Sequence, residues 1–236
     1  MKKTLIATLA IVAMMAGSAG ADMISVNFYD NATVDGQAGV PVNGAQLDNW
    51  NNVKHNSGQP VQSFIDSTGS AVSGLTLTWT GGKRAGMMAV GGSDLESDKL
   101  LSDGIGGFGS GSFTLSGLSQ FGNWELIVYT ANKDAGNTVA LDDGTVSYYG
   151  ISYGTNSPDG FDGTWTQITS NDSGSRTPNA EFAVFSGASD SVTITSNGSL
   201  SSASRGNIMG FQIIPEPATM SLLALGGLGA LLRKRR

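Results

Sequence analysis

The chain of 236 residues contains no cysteine, and its single histidine is His55. Without cysteine there are no disulfide bonds, no thiolate metal sites and no thiol nucleophiles. One histidine excludes a zinc site made of several imidazoles, although a carboxylate-rich site is compatible with the composition. A Ser-His-Asp hydrolase would have to use His55, and no G-x-S-x-G sequence accompanies it. We therefore expect His55 to be a solvated loop residue.

Positive charge is scarce in the central part of the chain. Residues 22–214 contain 7 Lys and Arg residues against 18 Asp and Glu residues, which gives a formal charge of −11. Such a surface repels the phosphates of nucleic acids and the acidic groups of anionic polysaccharides. Nucleic acid is therefore excluded as a partner, whereas neutral glycans, cations and basic proteins are compatible with the charge.

A long amphipathic helix is also missing from residues 22–214. Short alternating runs take its place, separated by glycine and other turn residues. The clearest run places Leu75, Leu77 and Trp79 on one face of a strand. The candidate strands are 24–29, 75–79, 112–115, 124–130, 138–141, 145–149, 164–169, 181–185, 191–195 and 208–213.

Residues that favour turns separate these runs. Asp142-Asp143-Gly144 predicts a hairpin turn, because Gly144 can adopt positive φ. A short helical turn is expected at residues 98–101. About ten short strands at close spacing predict an all-β fold, a single β-sandwich with Greek-key or jelly-roll connections.

The N-terminus has the pattern of a secretory signal peptide. Lys2 and Lys3 precede an apolar run at residues 5–16, and Ala19-Gly20-Ala21 supplies small residues at the cleavage position. We assign residues 1–21 to this signal, which directs the chain to the Sec export machinery.

The C-terminus combines a polar tripeptide, an apolar segment and a basic end. Pro215-Glu216-Pro217 precedes fifteen uncharged residues at 218–232. As a helix they would span roughly 22 Å, so the bilayer core of roughly 30 Å would have to thin locally to accommodate them. Cations after such a helix stay on the cytoplasmic side. These cations are Arg233, Lys234, Arg235 and Arg236.

This order of features resembles the PEP-CTERM sorting signal, which exosortases process in exopolysaccharide-producing Gram-negative bacteria. The resemblance implies that Pro215, Glu216 and Pro217 are a substrate motif for another enzyme. It implies an inner-membrane intermediate, held by the C-terminal helix, and then a place on the cell surface or in the extracellular matrix. An ordinary membrane anchor is the alternative. The domains are then 1–21, 22–214 and 215–236.

Four short stretches of residues 22–214 resemble secreted β-sandwich domains that are often found with PEP-CTERM tails. They are residues 25–28, 48–52, 125–130 and 206–214. The resemblance implies a galactose-binding-like jelly roll, the fold of many carbohydrate-binding modules.

Two tryptophans are candidates for stacking on sugar rings. Trp50 lies among Asn49, Asn51 and Asn52, and Trp165 follows a glycine-rich and aspartate-rich loop. Trp79 lies on an apolar strand face and is expected in the core. For Trp50 and Trp165 as well, the sequence favours packing in the core over a surface role.

Acidic clusters are candidates for a calcium site, since calcium takes carboxylate and carbonyl oxygens from loops. The candidate ligands are Asp94, Glu96, Asp98, Asp159 and Asp162. The alternative is that these residues serve turns and solubility. No other cofactor is expected. Glu96, Glu125 and Glu181 are candidates for a glycosidase pair, but no spacing identifies one.

Together these features predict a non-enzymatic, exported protein with a structural or adhesive role on the cell surface or in an exopolysaccharide matrix. The alternative is a carbohydrate-binding module for neutral glycans, with calcium as a candidate stabilising ion. An extracellular glycan-active enzyme is a distant third hypothesis.

Overall fold

The computed structural model describes nine parts of the chain: residues 22–30, 33–42, 45–57, 59–85, 96–107, 110–131, 138–151, 163–197 and 206–215. The signal peptide at 1–21 and the tail after Pro215 lie outside the described residues. So do Asp94, Asp159 and Asp162. Among the described residues, no helix has the length and apolar character needed to cross a bilayer.

The described residues form an all-β fold with one short α-helix and one 3-10 helix. The strands are β1 (Ile24–Tyr29), β2 (Ala38–Val42), β3 (Ala45–Leu47), β4 (Trp50–Lys54), β5 (Phe64–Ile65), β6 (Ala71–Val72), β7 (Thr76–Thr80), β8 (Gly82–Ala85), β9 (Asp103–Gly107), β10 (Ser110–Ser116), β11 (Trp124–Tyr129), β12 (Thr138–Asp142), β13 (Ser147–Ile151), β14 (Phe182–Gly187), β15 (Ser191–Asn197), β16 (Gly206–Ile208) and β17 (Gly210–Pro215). The helices are α1 (Glu96–Leu100) and the 3-10 helix Leu118–Phe121.

Two five-stranded sheets make a β-sandwich. The first sheet has the order β14-β11-β17-β1-β4, and the second has the order β13-β12-β15-β10-β7. Neighbouring strands in both sheets are antiparallel, except that β1 and β4 are parallel. The chain crosses repeatedly from one sheet to the other, as Greek-key and jelly-roll connections do. A small sheet of β16, β9 and β8 lies beside them.

The main core lies between the two sheets. Phe28 and Phe211 of the first sheet meet Phe113 of the second, and the rings of Phe113 and Phe211 stack with centroids 4.6 Å apart. Leu77 and Trp79 are buried in the same cluster. The predicted apolar face of this strand is therefore confirmed. Apolar area removed from water contributes roughly 25 cal/mol per Å², so these aromatic contacts dominate the packing energy.

The opposite side of the first sheet is also covered. The hairpin of β2 and β3, together with α1, packs over it and forms a second apolar cluster. The backbone N–H of Val40 donates to the Tyr129 hydroxyl at 2.7 Å, and this hydroxyl donates to Oε1 of Gln212. Burial raises the pKa of Tyr129 well above its ordinary value, so the hydroxyl stays protonated and keeps both bonds.

A glycine allows the hairpin to approach this closely. Gly39 has φ of 82° in the left-handed region, and a Cβ atom there would lie 2.7 Å from the Tyr129 hydroxyl. Glycine adopts this backbone conformation without strain, and it has no Cβ atom to clash with the hydroxyl.

Most predicted strands with clean alternation are confirmed, and the boundaries of 24–29 agree fully. The strand predicted at 164–169 is wrong, because this segment is irregular and touches β14 through one bridge between Gln167 and Phe182. The strand predicted at 208–213 is divided at Met209 into β16 and β17. The hairpin turn is confirmed, with φ of 85° at Gly144.

Candidate functional site

The outward surface of the second sheet carries hydroxyl side chains on three neighbouring strands, and we call it the hydroxyl face. Every second residue of β7, β10 and β15 contributes to it, while the apolar residues between them point into the main core. Successive side chains of a strand point to opposite faces, so this alternation produces one apolar and one hydroxyl surface. The hydroxyl face consists of Thr76, Thr78, Thr80, Ser110, Ser112, Thr114, Ser116, Ser191, Thr193 and Thr195.

Hydroxyl groups of this face are paired across the strands. The Thr80 and Ser112 oxygens lie 2.8 Å apart, and so do the Thr114 and Thr193 oxygens. Each pair uses one hydrogen, while a Ser or Thr hydroxyl can donate one hydrogen bond and accept two. Every pair therefore holds its oxygens in fixed positions and keeps capacity to bond a third group.

A depression adjoins the hydroxyl face at its β13 side, and we call it the Tyr149 depression. Its volume is about 260 Å³, and it is lined by Ala140, Asp142, Ser147, Tyr149, Thr195 and Asn197. Ala140 lies opposite Tyr149 on one neighbouring strand and opposite Asn197 on the other. Because alanine is much shorter than either neighbour, its position forms the floor.

The tyrosines of β13 point in opposite directions. Tyr148 packs against the main core and meets the Phe185 ring edge-on at 5.3 Å between centroids. Tyr149 is on the outer face, partly exposed, and presents one wall of the depression. Tyr149 is not among the site residues that the sequence predicts, because the alternation in 145–149 does not show which tyrosine points outward.

Asp142 is the one acidic residue that lines the Tyr149 depression. Its Oδ1 accepts the backbone N–H of Gly144 at 2.6 Å, and its Oδ2 accepts the Ser147 hydroxyl. These bonds fix the carboxylate at the hairpin turn. A carboxylate has about four lone-pair sites, so Asp142 also keeps acceptor capacity toward the depression.

Trp50 does not provide an exposed platform. Its side chain is 6% exposed, its Nε1 donates to the Leu47 carbonyl at 3.0 Å, and its ring lies 6.3 Å from that of Tyr129. The burial of Trp50 agrees with the core packing that the sequence favours, and it leaves the candidate glycan-binding role of Trp50 without an exposed ring, because the β2–β3 hairpin covers this side of the first sheet.

Trp165 also packs on the second cluster. Its ring meets Tyr129 edge-on at 5.1 Å between centroids and Phe182 at 6.4 Å. The side chain is partly buried, and the glycan-binding role of Trp165 stays a prediction.

Glu96 serves the fold through hydrogen bonds. Its Oε2 accepts the N–H groups of Asp35 at 2.7 Å and Gly36 at 3.1 Å, and its Oε1 lies 2.6 Å from Nζ of Lys99. Burial alone would raise the pKa of Glu96, but the hydrogen bond from Lys99 and those from the two backbone groups lower it below its ordinary value. Glu96 therefore ties α1 to the chain that precedes β2.

Only two of the five candidate calcium ligands, Glu96 and Asp98, lie among the described residues. Within the described ranges, no group of three His, Asp or Glu side chains is placed to hold a metal ion. Asp98 is 1% exposed, inside α1. Since Asp94, Asp159 and Asp162 lie outside the described residues, the calcium site stays a prediction.

The remaining candidates for catalysis lie apart in the fold. His55 is partly buried instead of solvated, with Nδ1 3.4 Å from Oδ1 of Asp30. Glu125 is exposed on β11, opposite in direction to buried Trp124 as the alternation predicts. Glu181 is buried, and its Oε2 accepts the N–H of Thr166 at 2.7 Å.

Comparison with known proteins identifies the C-terminal part. The model of the PEP-CTERM protein-sorting motif matches residues 214–236. Neither the curated proteins nor the solved structures gave a match. The matched segment begins inside β17, the strand that lies between β1 and β11.

The Glu96 contacts predict a pH-dependent contribution to stability. Glu96→Gln should lower the free energy of unfolding at pH 7 by on the order of 1 kcal/mol, because the amide loses the charge that Lys99 and the backbone donors stabilise. A lowered pKa in the folded state means that this contribution is present above the unfolded pKa of about 4.3 and is lost as pH falls through the folded pKa.

Urea denaturation of the wild type and the variant at pH 7 and at pH 3 measures this difference. The difference should be present at pH 7 and shrink at pH 3. The control is Glu125→Gln, which changes an exposed carboxylate and should leave unfolding unchanged at both pH values. Equal losses for the two variants at pH 7 would contradict the assignment.

Proposed function

We propose that this chain, whose residues 214–236 match the PEP-CTERM protein-sorting motif, is exported, processed by an exosortase and used as a structural or adhesive component at the surface or in the extracellular space. In this proposal it acts without catalysis, by contact with the exopolysaccharide matrix. The cells are Gram-negative, the signal peptide passes through the Sec machinery, and the C-terminal helix holds an inner-membrane intermediate until processing.

The hydroxyl face is the observation that supports this role. The β2–β3 hairpin and α1 cover much of the outer side of the first sheet, whereas the side chains of the hydroxyl face on the second sheet are partly or fully exposed. All ten side chains of this face are uncharged Ser or Thr residues. An uncharged array of hydrogen-bonding groups is suited to contact with a polar polymer.

The sorting part of the proposal is tested in the native host. In the double variant Glu216→Ala, Pro217→Ala, the chain should keep its full mass and stay in the membrane fraction, because the substrate motif is destroyed. Cells that produce it should attach to surfaces as poorly as cells that lack the protein. Glu125→Ala, on the exposed side of β11, is the control.

Two outcomes would contradict the proposal separately. Normal mass and location of the double variant would refute the role of the tripeptide. Normal attachment by cells that lack the protein would refute the structural or adhesive role.

A second candidate function is carbohydrate binding, and the Tyr149 depression favours it. An exposed tyrosine ring offers its face to the apolar C–H face of a sugar, and Asp142, Ser147 and Asn197 surround it with hydrogen-bonding groups. The acidic domain disfavours anionic glycans, so the ligand of this candidate function is a neutral glycan. Calcium is a candidate stabilising ion.

Tyr149→Ala tests this function. The mature protein should bind a member of a panel of neutral glycans, and the variant should bind it about tenfold more weakly, a loss of about 1.4 kcal/mol. Binding is measured by calorimetry, with calcium and with EDTA. Tyr148→Phe is the control, since Tyr148 points to the core.

Unchanged affinity of Tyr149→Ala would contradict the site. Release of shortened glycan products by the wild type would contradict the non-enzymatic role. Loss of binding in EDTA alone would support calcium as a stabilising ion.

A further inference from the structure

The hydroxyl face and the Tyr149 depression form one continuous surface. The strand registers place Ser112 opposite Thr80 on one side and opposite Thr195 on the other. Thr195 is opposite Asp142, which is opposite Ser147. These five residues make a row that crosses all strands of the second sheet. At a strand spacing of about 4.8 Å, the row is roughly 19 Å long.

We propose that this row is an extended binding site for an uncharged polysaccharide chain that lies across the strands. One sugar unit occupies the Tyr149 depression, and the following units lie along Thr195, Ser112 and Thr80. The proposal rests on the carbohydrate-binding function above and adds the length and direction of the site.

The chemistry of the row matches such a polymer. A neutral polysaccharide presents hydroxyl donors and acceptors along its whole length, and the Ser and Thr hydroxyls offer both. The pair of Thr80 and Ser112 is already fixed by a hydrogen bond of 2.8 Å, so few rotamers are lost on binding. Burying a charged residue against an uncharged polymer would be costly, and from Thr80 to Thr195 the row has none.

The charges of the domain also disfavour other classes of ligand. The domain carries a formal charge of −11 over residues 22–214, so an anionic polymer is repelled. A basic protein would be expected to meet carboxylates, and the row offers Asp142 alone, which is held by the Gly144 N–H and the Ser147 hydroxyl.

Cross-strand hydroxyl pairs also stabilise a sheet, by roughly 0.2–1 kcal/mol each. If the role is purely structural, substitutions along the row should change the free energy of unfolding and leave the glycan affinity unaltered. A binding role predicts that affinity depends on the row and on the length of the glycan. The two are separated by measuring both quantities on the same variants.

Ser112→Lys is the test variant, because it places a long charged side chain in the row, two strands away from the strand of Asp142. The probes are oligomers of increasing length of the neutral glycan that the mature protein binds. Wild-type affinity should rise with length until the row is covered. In the variant, affinity for the longest oligomer should fall at least about tenfold, and affinity for the shortest should be unchanged.

Ser186→Lys is the matched control. Ser186 is exposed on β14 of the first sheet, so the variant adds the same charge and the same side chain away from the row. Thr80→Lys, on the edge strand β7, is a second test variant that keeps the proposal falsifiable if Ser112→Lys fails to fold. Thermal unfolding of all variants is measured alongside.

The outcomes separate this proposal from the function on which it rests. Affinity independent of glycan length, with Ser112→Lys and Thr80→Lys both binding normally, would overturn the extended site and leave the Tyr149 depression intact. Absence of binding to any neutral glycan would overturn both.

An independent observation concerns the sorting motif. Its first residue belongs to the folded domain: Pro215 is buried at the end of β17, opposite Trp124 of β11, and Ile214 is opposite Glu125. The apolar segment that the sequence predicts to enter the membrane begins at Ala218. Three residue steps cover at most about 11 Å, so if this segment enters the membrane, little chain is left between the sheet and the bilayer.

We infer that the exosortase engages the tripeptide while β17 is unpaired. A peptide is usually recognised through an extended backbone and free side chains. In the finished sheet the Pro215 side chain is buried and the preceding backbone is paired with β11. Processing would then precede the docking of the last strand, or require its release.

A spacer tests this inference. Six Gly and Ser residues inserted between Ile214 and Pro215 keep the tripeptide intact and free it from the sheet. Pulse-chase labelling in the native host should show processing severalfold faster than in the wild type. The same insertion after Gly144, in the exposed hairpin turn, is the control and should leave the rate unchanged. Equal rates for the spacer variant and the wild type would overturn the inference.

Discussion

The antiparallel pairing of β1 with β17 joins the two ends of the domain, and the rest of the sandwich depends on it. The bond from Gln212 to Ser25 spans 187 residues of sequence, so closing it orders a very long loop. Once these strands are paired, β11 and β4 add on either side and the aromatic cluster of Phe28 and Phe211 is assembled. The fold therefore cannot be completed before the last strand is available.

The two sheets differ in what covers them. The outer face of the first sheet is covered around Tyr129 by the β2–β3 hairpin and α1, where the Tyr129 hydroxyl bonds Val40 and Gln212, and it is exposed at Glu125 and Ser186. The second is buried on one face and presents hydroxyl groups on the other. The proposed functions use this difference, because they place the contact with a partner on the hydroxyl groups of the second sheet.

The sequence predicted the strands whose alternation is regular, because burial of one sheet face imposes that period directly. It could not establish the position of Trp50. The neighbouring asparagines suggest a solvated loop, yet Asn51 bonds the carbonyls of Ser25 and Ile65, and Asn52 bonds the backbone of Val34. These two side chains therefore bond backbone groups that are distant in the sequence, and the local sequence pattern does not reveal such bonds. The Tyr149 depression was missed for the same reason, since Ala140 and Tyr149 meet only through strand register.

The bare hydroxyl face has an evolutionary consequence. Its side chains contribute little to burial, so exchanges among Ser, Thr, Asn and similar residues there alter the fold's free energy only slightly. The aromatic cluster beneath it tolerates no comparable change. Substitutions can therefore change the chemistry of this surface step by step, while the scaffold and the sorting segment stay unchanged.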